Sequence, residues 1–106
     1  MSELILTDES VCQLPSDVQT RPENDGVTLI YGGNRAPYLV NETAAEILAL
    51  LRAPRTVRTV VAEMRARYPT ASEGLLRADV LGLLARLIKE RYVVATQENL
   101  VNDRSA

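Results

Sequence analysis

Histidine is absent from this chain of 106 residues, and Cys12 is its only cysteine. The chain therefore lacks the atoms for His-dependent catalytic triads, histidine metal sites, zinc ribbons and internal disulfides. No apolar run approaches the roughly 20 residues that a membrane-spanning helix needs, and residues 1–15 lack the basic and apolar segments of a signal peptide. These absences exclude most familiar catalytic constellations and predict a soluble, cytoplasmic protein.

The chain also lacks a positive excess of charge, sequence repeats and low-complexity blocks. Its formal net charge is -2, whereas an autonomous nucleic-acid-binding protein usually carries a clear positive excess. Residues 1–40 hold six acids and two bases, and residues 41–106 hold eight acids and ten bases. Hydrophobic residues make up 46% of the chain, which is the balance of one small folded domain. The composition disfavours DNA binding but lets the second half attract an acidic partner.

The first 40 residues follow the period of a β-strand. Val27, Leu29 and Tyr31 occupy alternate positions and give one strongly apolar face. Turn-forming residues flank this strand at 24–26 and 32–34. The pattern predicts a three-stranded antiparallel meander whose apolar face is covered by helices. The predicted strands span about residues 18–22, 27–31 and 35–40.

From Asn41 onward the period changes to that of α-helices. Asn41, Thr56 and Ser72 each precede an apolar stripe at helical spacing, which predicts N-caps of three helices, the third running to about Arg91. The predicted buried stripes are Ala44, Ile47, Leu48 and Leu51 in the first helix, Val57, Val60, Val61, Met64 and Tyr68 in the second, and Leu76, Val80, Leu83, Leu84 and Leu87 in the third.

Together these elements predict one α+β domain with a winged-helix-like fold, in which a three-stranded antiparallel sheet is followed by three helices. We expect the domain to occupy residues 16–95. An N-terminal segment at 1–15, in part a strand, precedes it, and a polar, flexible tail at 96–106 follows it. Fold alone decides no function.

Two features predict a binding surface. Pro37 has no amide hydrogen, so the third strand is expected at the edge of its sheet. In the third helix, Leu81, Ile88 and Tyr92 lie about 100° round from the stripe centred on Val80, so the apolar arc is too wide for one core stripe. This surplus either packs under the N-terminal segment or lines a groove. An edge strand beside an apolar groove is suited to accept an added peptide strand.

Arginines cluster around the second helix, where a winged-helix DNA-binding protein would contact phosphates. A solvated helix surface explains the same pattern. Cys12 has acidic neighbours and is interpreted as a packing residue rather than a nucleophile. The clustered arginines are Arg52, Arg55, Arg58, Arg65 and Arg67.

Several motifs, taken in order and spacing, resemble the PqqD family. The run Leu-Val-Asn-Glu-Thr-Ala-Ala-Glu-Ile at residues 39–47 is similar to the strand-to-helix signature of that family. The resemblance spans about residues 18–94. Two departures are Pro37, which removes a ladder donor, and Arg91, where many relatives have glycine before the final apolar pair. The further similarities are Arg55-Thr56-Val57, Tyr68, Asp79-Val80 with Leu83, Leu84 and Leu87, and the closing Tyr92-Val93.

The resemblance implies a non-catalytic domain that binds the leader of a ribosomally synthesised precursor peptide as an added strand. The peptide would lie in a groove between the third strand and the third helix and be presented to a modifying enzyme, often a radical S-adenosylmethionine protein. No catalytic residue, metal, cofactor, nucleic acid or membrane is expected to take part. Carried onto this sequence, the groove would involve Arg35, Pro37, Tyr38, Leu39 and Val40 on the strand, and Arg77, Val80, Leu81, Leu84 and Ile88 on the helix.

Two alternatives remain at this point. One is a winged-helix DNA-binding regulator, and the other is an adaptor subunit that contacts only a partner enzyme. The oligomeric state is open as well, since an exposed strand edge can pair with a second copy of the same chain and form a homodimer.

Overall fold

The computed structural model describes residues 5–97. Within these residues, six strands form two antiparallel sheets of three strands each. The fold is α+β with two small sheets and three helices, and it resembles a winged helix only loosely. The elements are β1 (Ser10–Gln13), β2 (Gln19–Pro22), a 3-10 turn (Asn24–Gly26), β3 (Val27–Gly32), β4 (Arg35–Asn41), α1 (Glu42–Leu50), β5 (Arg55–Thr56), α2 (Val57–Arg67), α3 (Glu73–Lys89) and β6 (Val94–Gln97).

The predicted meander is present as the sheet β2-β3-β4, but its core face is the opposite of the predicted one. Ile30 is fully buried, whereas Val27, Leu29 and Tyr31 are only half-buried. Ile30 lies opposite Tyr38 of β4, so neighbouring strands complete its face. The alternation within β3 counts more apolar residues on the other face, which is the outer one. The sequence of β3 therefore predicted the strand period correctly and the buried face wrongly.

All three predicted N-caps are confirmed. Asn41 Oδ1 accepts a hydrogen bond from Ala44 N–H at 2.8 Å, which satisfies a donor in the first turn of α1. Thr56 Oγ1 accepts in the same way from Thr59 N–H at 3.1 Å at the start of α2. Ser72 caps α3. The helices therefore begin where the sequence places them.

The core lies between the inner face of the meander and the buried stripes of the helices. Most predicted stripe residues are in it, with two exceptions. Tyr68 is 37% exposed and donates a hydrogen bond to Glu46, and Leu83 is half-buried. The largest fully buried side chains are Tyr92, Ile30, Leu48, Leu51, Met64, Leu84, Leu87, Val18, Val57, Val60, Val80 and Cys12.

The second sheet is absent from the sequence prediction. Its central strand β1 pairs with β5 on one side and with β6 on the other, and Ser10 lies opposite Gln97. Cys12 and Leu14 place the N-terminal segment in the core. Most of the tail predicted at 96–106 lies outside the described residues, and its first two residues belong to β6.

The end of α3 is closed by a left-handed residue that is not glycine. Arg91 has a φ of 67°. Tyr92 N–H donates to Leu87 C=O at 2.8 Å and Arg91 N–H donates to Ile88 C=O at 3.0 Å, which is the Schellman arrangement. Glycine is the residue that adopts this conformation without steric cost. The last helical residue is therefore Lys89, two residues before the predicted end. Arg91, which follows it, holds a strained backbone conformation.

Within residues 5–97 we find no helix with the length and apolar character needed to cross a membrane.

Candidate functional site

A cleft of about 570 Å³ lies between β4, the start of α1 and α3. Helix α3 supplies Asp79, Leu83 and Arg86, which recur at i, i+4 and i+7 and so form one face of the helix. The floor and the β4 side combine apolar side chains with the polar side chains of Asn41 and Thr43. The residues that line the cleft are Tyr38, Leu39, Val40, Asn41, Thr43, Ala44, Ile47, Asp79, Leu83 and Arg86.

The hydrogen bonds of β3 determine which way its neighbour β4 faces. Glu23 N–H donates to Val27 C=O at 2.8 Å, so Val27 directs its backbone groups towards β2. Successive residues of a strand direct these groups to opposite sides. Thr28 and Ile30 therefore direct theirs towards β4.

β4 consequently has an open edge at Leu39. Val40 and Tyr38 lie opposite Thr28 and Ile30, and their backbone groups are used in that ladder. Leu39 lies between them and directs its N–H and C=O away from β3. Its side chain is 59% exposed. Side chains alternate between the two faces of a strand, yet all three consecutive residues line the cleft, because the cleft follows the strand edge itself.

The first part of β4 is irregular. The pairing of β3 with β4 shifts between Ile30 and Gly32, where Pro37 lies in a β-bulge and is exposed. Bulges and edges are where a strand tolerates proline, so the edge position predicted from Pro37 is correct. The hydroxyl of Tyr92 is within hydrogen-bond distance of the carbonyls of Ile30, at 3.3 Å, and Ala36. A side chain from the end of α3 thus compensates for the broken ladder.

Arg35 makes contacts within the fold and does not line the cleft. Its guanidinium donates hydrogen bonds to Arg91 C=O, to Gly32 C=O at 3.1 Å and to Asp17 at 3.0 Å. It also lies 5.6 Å from the ring centroid of Tyr92, in cation–π contact. The hydrogen bond from Arg35 lowers the pKa of the Asp17 carboxyl. Arg35 therefore fastens the start of β4 to the end of α3.

The α3 residues predicted for the groove lie elsewhere on the helix. Val80 and Leu84 are completely buried in the core. Arg77 forms an ion pair with Asp8 at 2.8 Å. The structure brings none of these three side chains to the cleft.

The other two predicted helix residues, Leu81 and Ile88, lie on the opposite flank of α3. Together with Leu6 and Ala85 they line a separate depression of about 270 Å³. The surplus apolar residues therefore lie beside the N-terminal segment, which is one of the two outcomes the sequence left open. Tyr92, the third member of that set, is buried.

Of the α3 residues that line the cleft, sequence reasoning assigned Arg86, together with Arg77, to the attraction of acidic leader residues, but it did not assign Asp79 or Leu83 to the groove. On a helical wheel with about 100° per residue, Leu83 lies on one side of the Val80 stripe and Leu81 lies on the other. The helical wheel alone does not indicate which of these two flanks faces β4. A usable signal was present in the family-like motif, which includes Asp79 and Leu83, but Leu83 was interpreted as part of the buried stripe and Asp79 was given no role.

The two charged side chains of the cleft differ from most others on α3 in having no ion-pair partner. Within residues 5–97, Arg86 makes one side-chain hydrogen bond, to the Tyr38 hydroxyl at 3.4 Å, and Asp79 makes none. By contrast, Glu73 pairs with Arg65 at 3.1 Å. A peptide in the cleft would therefore meet one unpaired acid and one unpaired base.

The arginines around α2 form ion pairs and hydrogen bonds with other residues of the same chain. Arg58 pairs with Glu9, Arg65 with Glu73, and Arg67 with Glu46. Arg52 and Arg55 donate to the backbone carbonyls of Val18 and Leu50. These contacts agree with the interpretation of this cluster as a helix surface, and nothing in the fold favours DNA binding.

Burial raises the pKa of the Cys12 thiol to about 11, because the interior disfavours the charged thiolate. The thiol is protonated at neutral pH and is not an activated nucleophile. In the described part of the chain, no group of three or more His, Cys, Asp and Glu side chains is placed to hold a metal ion. The cleft therefore offers hydrogen bonding, apolar surface and charge.

Comparison with known proteins identifies the family. The model of the family Coenzyme PQQ synthesis protein D (PqqD) matches residues 26–93, which is more than half of the chain. The chain belongs to the PqqD family. This confirms the resemblance found in the sequence. A search of curated proteins gave no match.

A solved structure gives the same fold for this PqqD family member. It is the solution NMR structure of the PqqD truncation of Methylobacterium extorquens PqqCD, described as a functional and stand-alone recognition element for ribosomally synthesised and post-translationally modified peptides. The two chains superpose with a TM-score of 0.72 at 22% sequence identity, over 85% of this chain and 95% of the other. The α+β fold predicted from the sequence is confirmed in this way.

Proposed function

We propose that this PqqD family member is a non-catalytic recognition domain. It binds the leader of a ribosomally synthesised precursor peptide by β-strand addition to β4 and presents the peptide to a modifying enzyme. The open edge of β4 at Leu39, which faces a cleft shared with α3, is the observation that carries this proposal. The recognition-element description of the similar PqqD structure supports the same class of function.

Strand addition suits this geometry. Leu39 offers one outward N–H and one outward C=O, which are the groups that an extended peptide pairs with. The side chains of Ile47, Ala44 and Leu83 offer apolar surface beside that edge. Main-chain pairing then supplies affinity, and the cleft walls supply selectivity. Pro37 has no N–H to donate to a partner and does not line the cleft.

The remaining parts of the proposal concern partners. The modifying enzyme catalyses the reaction, and this chain contributes binding and delivery without bond chemistry of its own. A radical S-adenosylmethionine protein is the class of enzyme that the family leads us to test first. The predicted cytoplasmic location and the homodimer through the β4 edge stay predictions.

The test uses a pair of variants at Leu39. Leu39→Pro removes the outward N–H, and Leu39→Ala keeps it while removing the same exposed side chain. The probe is a synthetic peptide taken from a short reading frame next to this gene. We expect it to bind Leu39→Pro at least about tenfold more weakly than the wild type, since one ladder hydrogen bond and the strand edge are disturbed. Leu39→Ala should lose less. Isothermal titration gives the affinities, and circular dichroism checks that both variants fold.

Backbone amide shifts of the isotope-labelled protein locate the bound peptide. Shifts concentrated on residues 38–41 and on the Asp79 face of α3 would support strand addition in the cleft. Equal leader affinity for wild type, Leu39→Pro and Leu39→Ala, in folded proteins, would contradict it. So would saturable shifts confined to the depression beside Leu6.

A further inference from the structure

From the two unpaired charges of the cleft we infer the residue pattern of the bound peptide. The cleft selects an extended segment in which a basic residue, an apolar residue and an acidic residue occupy alternate positions, in that order from the N-terminus. This inference rests on the proposed function, because it assumes a strand added to β4. It specifies the peptide chemistry and the peptide direction, which the proposed function leaves open.

The direction follows from how α3 lies along β4. Arg91 and Tyr92, at the end of α3, contact Arg35 and Ala36 at the start of β4. Five residues before Arg91, Arg86 reaches Tyr38, further along β4. Later residues of α3 thus lie beside earlier residues of β4. The helix and the strand run in opposite directions along the cleft.

An added strand should be antiparallel to β4. The sheet that it extends is antiparallel throughout, and antiparallel pairing is slightly more stable per residue than parallel pairing. A peptide antiparallel to β4 runs in the same direction as α3. Its N-terminal end therefore lies beside Asp79 and its C-terminal end lies beside Arg86.

The spacing of the α3 side chains matches alternate residues of a strand. At a rise of about 1.5 Å per residue, Leu83 lies about 6 Å and Arg86 about 10.5 Å along the helix from Asp79. In an extended peptide, alternate residues on one face lie about 6.7 Å and 13 Å from the first. Leu83 coincides with the second of these positions, and the long, flexible side chain of Arg86 covers the remaining difference to the third.

Charge and polarity assign the residue types. Asp79 lacks a side-chain partner within residues 5–97 and favours a cation at the first position. Leu83 is half-buried and favours an apolar side chain at the second. Arg86 has a guanidinium that binds carboxylates in a planar, two-point geometry and favours an acid at the third. Elsewhere on α3, Glu73 is paired with Arg65 of α2 and Arg77 is paired with Asp8 of the N-terminal segment, so these two charges do not compete.

The test is a selection from a display library of random peptides of about ten residues, a length that spans the cleft, against the full chain. We expect enriched peptides to carry the basic–apolar–acidic pattern at alternate positions. The double variant Asp79→Arg/Arg86→Glu keeps the net charge and exchanges the two cleft charges. Peptides enriched on it should carry the reversed order, acidic–apolar–basic. The matched control Glu63→Arg/Lys89→Glu exchanges two exposed charges outside the cleft and should enrich the original order.

Synthetic peptides then give the size of the effect. A peptide with Lys-Thr-Leu-Thr-Glu at its centre should bind the wild type about tenfold more tightly than one with Glu-Thr-Leu-Thr-Lys, because two exposed attractions become two repulsions. The preference should reverse in the cleft double variant. Salt should weaken the difference.

The outcomes separate this inference from the proposed function. Enriched peptides that depend on the Leu39 amide but show no charge order, or the same order on wild type and the cleft double variant, would overturn the inference and leave strand addition standing. Enriched peptides whose binding is unaffected by Leu39→Pro would overturn both.

Discussion

The two parts of β4 are held in very different ways. Its start is fastened by Arg35 and by the hydroxyl of Tyr92, and just before it the end of β3 lies close to the β1–β2 loop at Gly32. From Tyr38 onward the strand is paired on one side only and faces the cleft on the other. The contrast teaches that an edge can remain open for a partner when its register is fixed elsewhere. The start of β4 contributes to the stability of the fold, and the open edge at Leu39 is the part to which we propose the peptide binds.

The largest effect is expected from a side chain at Gly32. A Cβ there would lie 2.1 Å from the carbonyl oxygen of Asp17, and the φ of Gly32 is 142°. Gly32→Ala should therefore lower the free energy of unfolding by at least about 3 kcal/mol, since backbone must move to admit the methyl group. Urea unfolding followed by circular dichroism measures the loss. Gly82→Ala, in open space within α3, should instead raise stability by about 0.5–1 kcal/mol.

The next effect is expected from the Tyr92 hydroxyl. Tyr92→Phe leaves the carbonyls of Ile30 and Ala36 without this donor in a buried site, which should cost about 2 kcal/mol of unfolding free energy. Tyr31→Phe, on the outer face of the meander, should cost much less. Equal losses for the two variants would contradict the role of Tyr92 in closing the bulge.

The same residue predicts a dependence on alkaline pH. Burial raises the pKa of Tyr92 above the ordinary value of 10.0. The unfolded state therefore loses its proton first, so the contribution of Tyr92 is complete below pH 10 and declines as the pH rises through the raised folded pKa. Unfolding free energies measured across that range should fall less steeply in Tyr92→Phe than in the wild type.

The two flanks of α3 give a paired prediction. Leu83→Ala should weaken leader binding about tenfold, because it removes apolar surface from the cleft. Leu81→Ala should leave leader affinity unchanged and lower the unfolding free energy by about 1–2 kcal/mol, because it removes packing against Leu6. Titration and urea unfolding of both variants measure this exchange of effects. A loss of leader affinity with Leu81→Ala alone would place the binding surface on the flank of α3 beside Leu6 and contradict the cleft.

The smallest effect is a gain. Arg91→Gly should raise the unfolding free energy by about 1 kcal/mol, because glycine adopts the left-handed conformation that arginine holds under strain. The contact that Arg35 makes with this residue uses the backbone carbonyl and is retained. Arg91→Ala removes the same side chain but keeps the strain, so it should give no such gain in urea unfolding.

Local signals predicted the local structure. The three helices begin at Asn41, Thr56 and Ser72 because each cap needs only neighbouring atoms, and the meander follows from turn residues within the same stretch. Pro37 indicated the strand edge because a residue without a backbone N–H is tolerated at edges and bulges and not inside a ladder. The family resemblance drew on the same local motifs and was confirmed.

Features that depend on distant pairing were not predictable in the same way. β1 is four residues long and acquires its partners from the middle and the far end of the described chain, so its own sequence carries little signal. The buried face of β3 depends on Tyr38 and Val40 of its neighbour. The flank of α3 that forms the cleft depends on where β4 packs, and Arg35 acts through contacts with residues remote in the sequence.

The pairing of Ser10 with Gln97 has a consequence for architecture. Strands from near the two ends of the described residues, 5–97, lie side by side in one sheet. Leu6, just before β1, lies against Leu81 and Ile88 on the flank of α3 that faces away from the cleft. Domains with adjacent ends tolerate fusion, insertion and circular permutation. An enzyme fused next to Ser10 or Gln97 would therefore be attached at the same sheet, near the flank of α3 that faces away from the cleft.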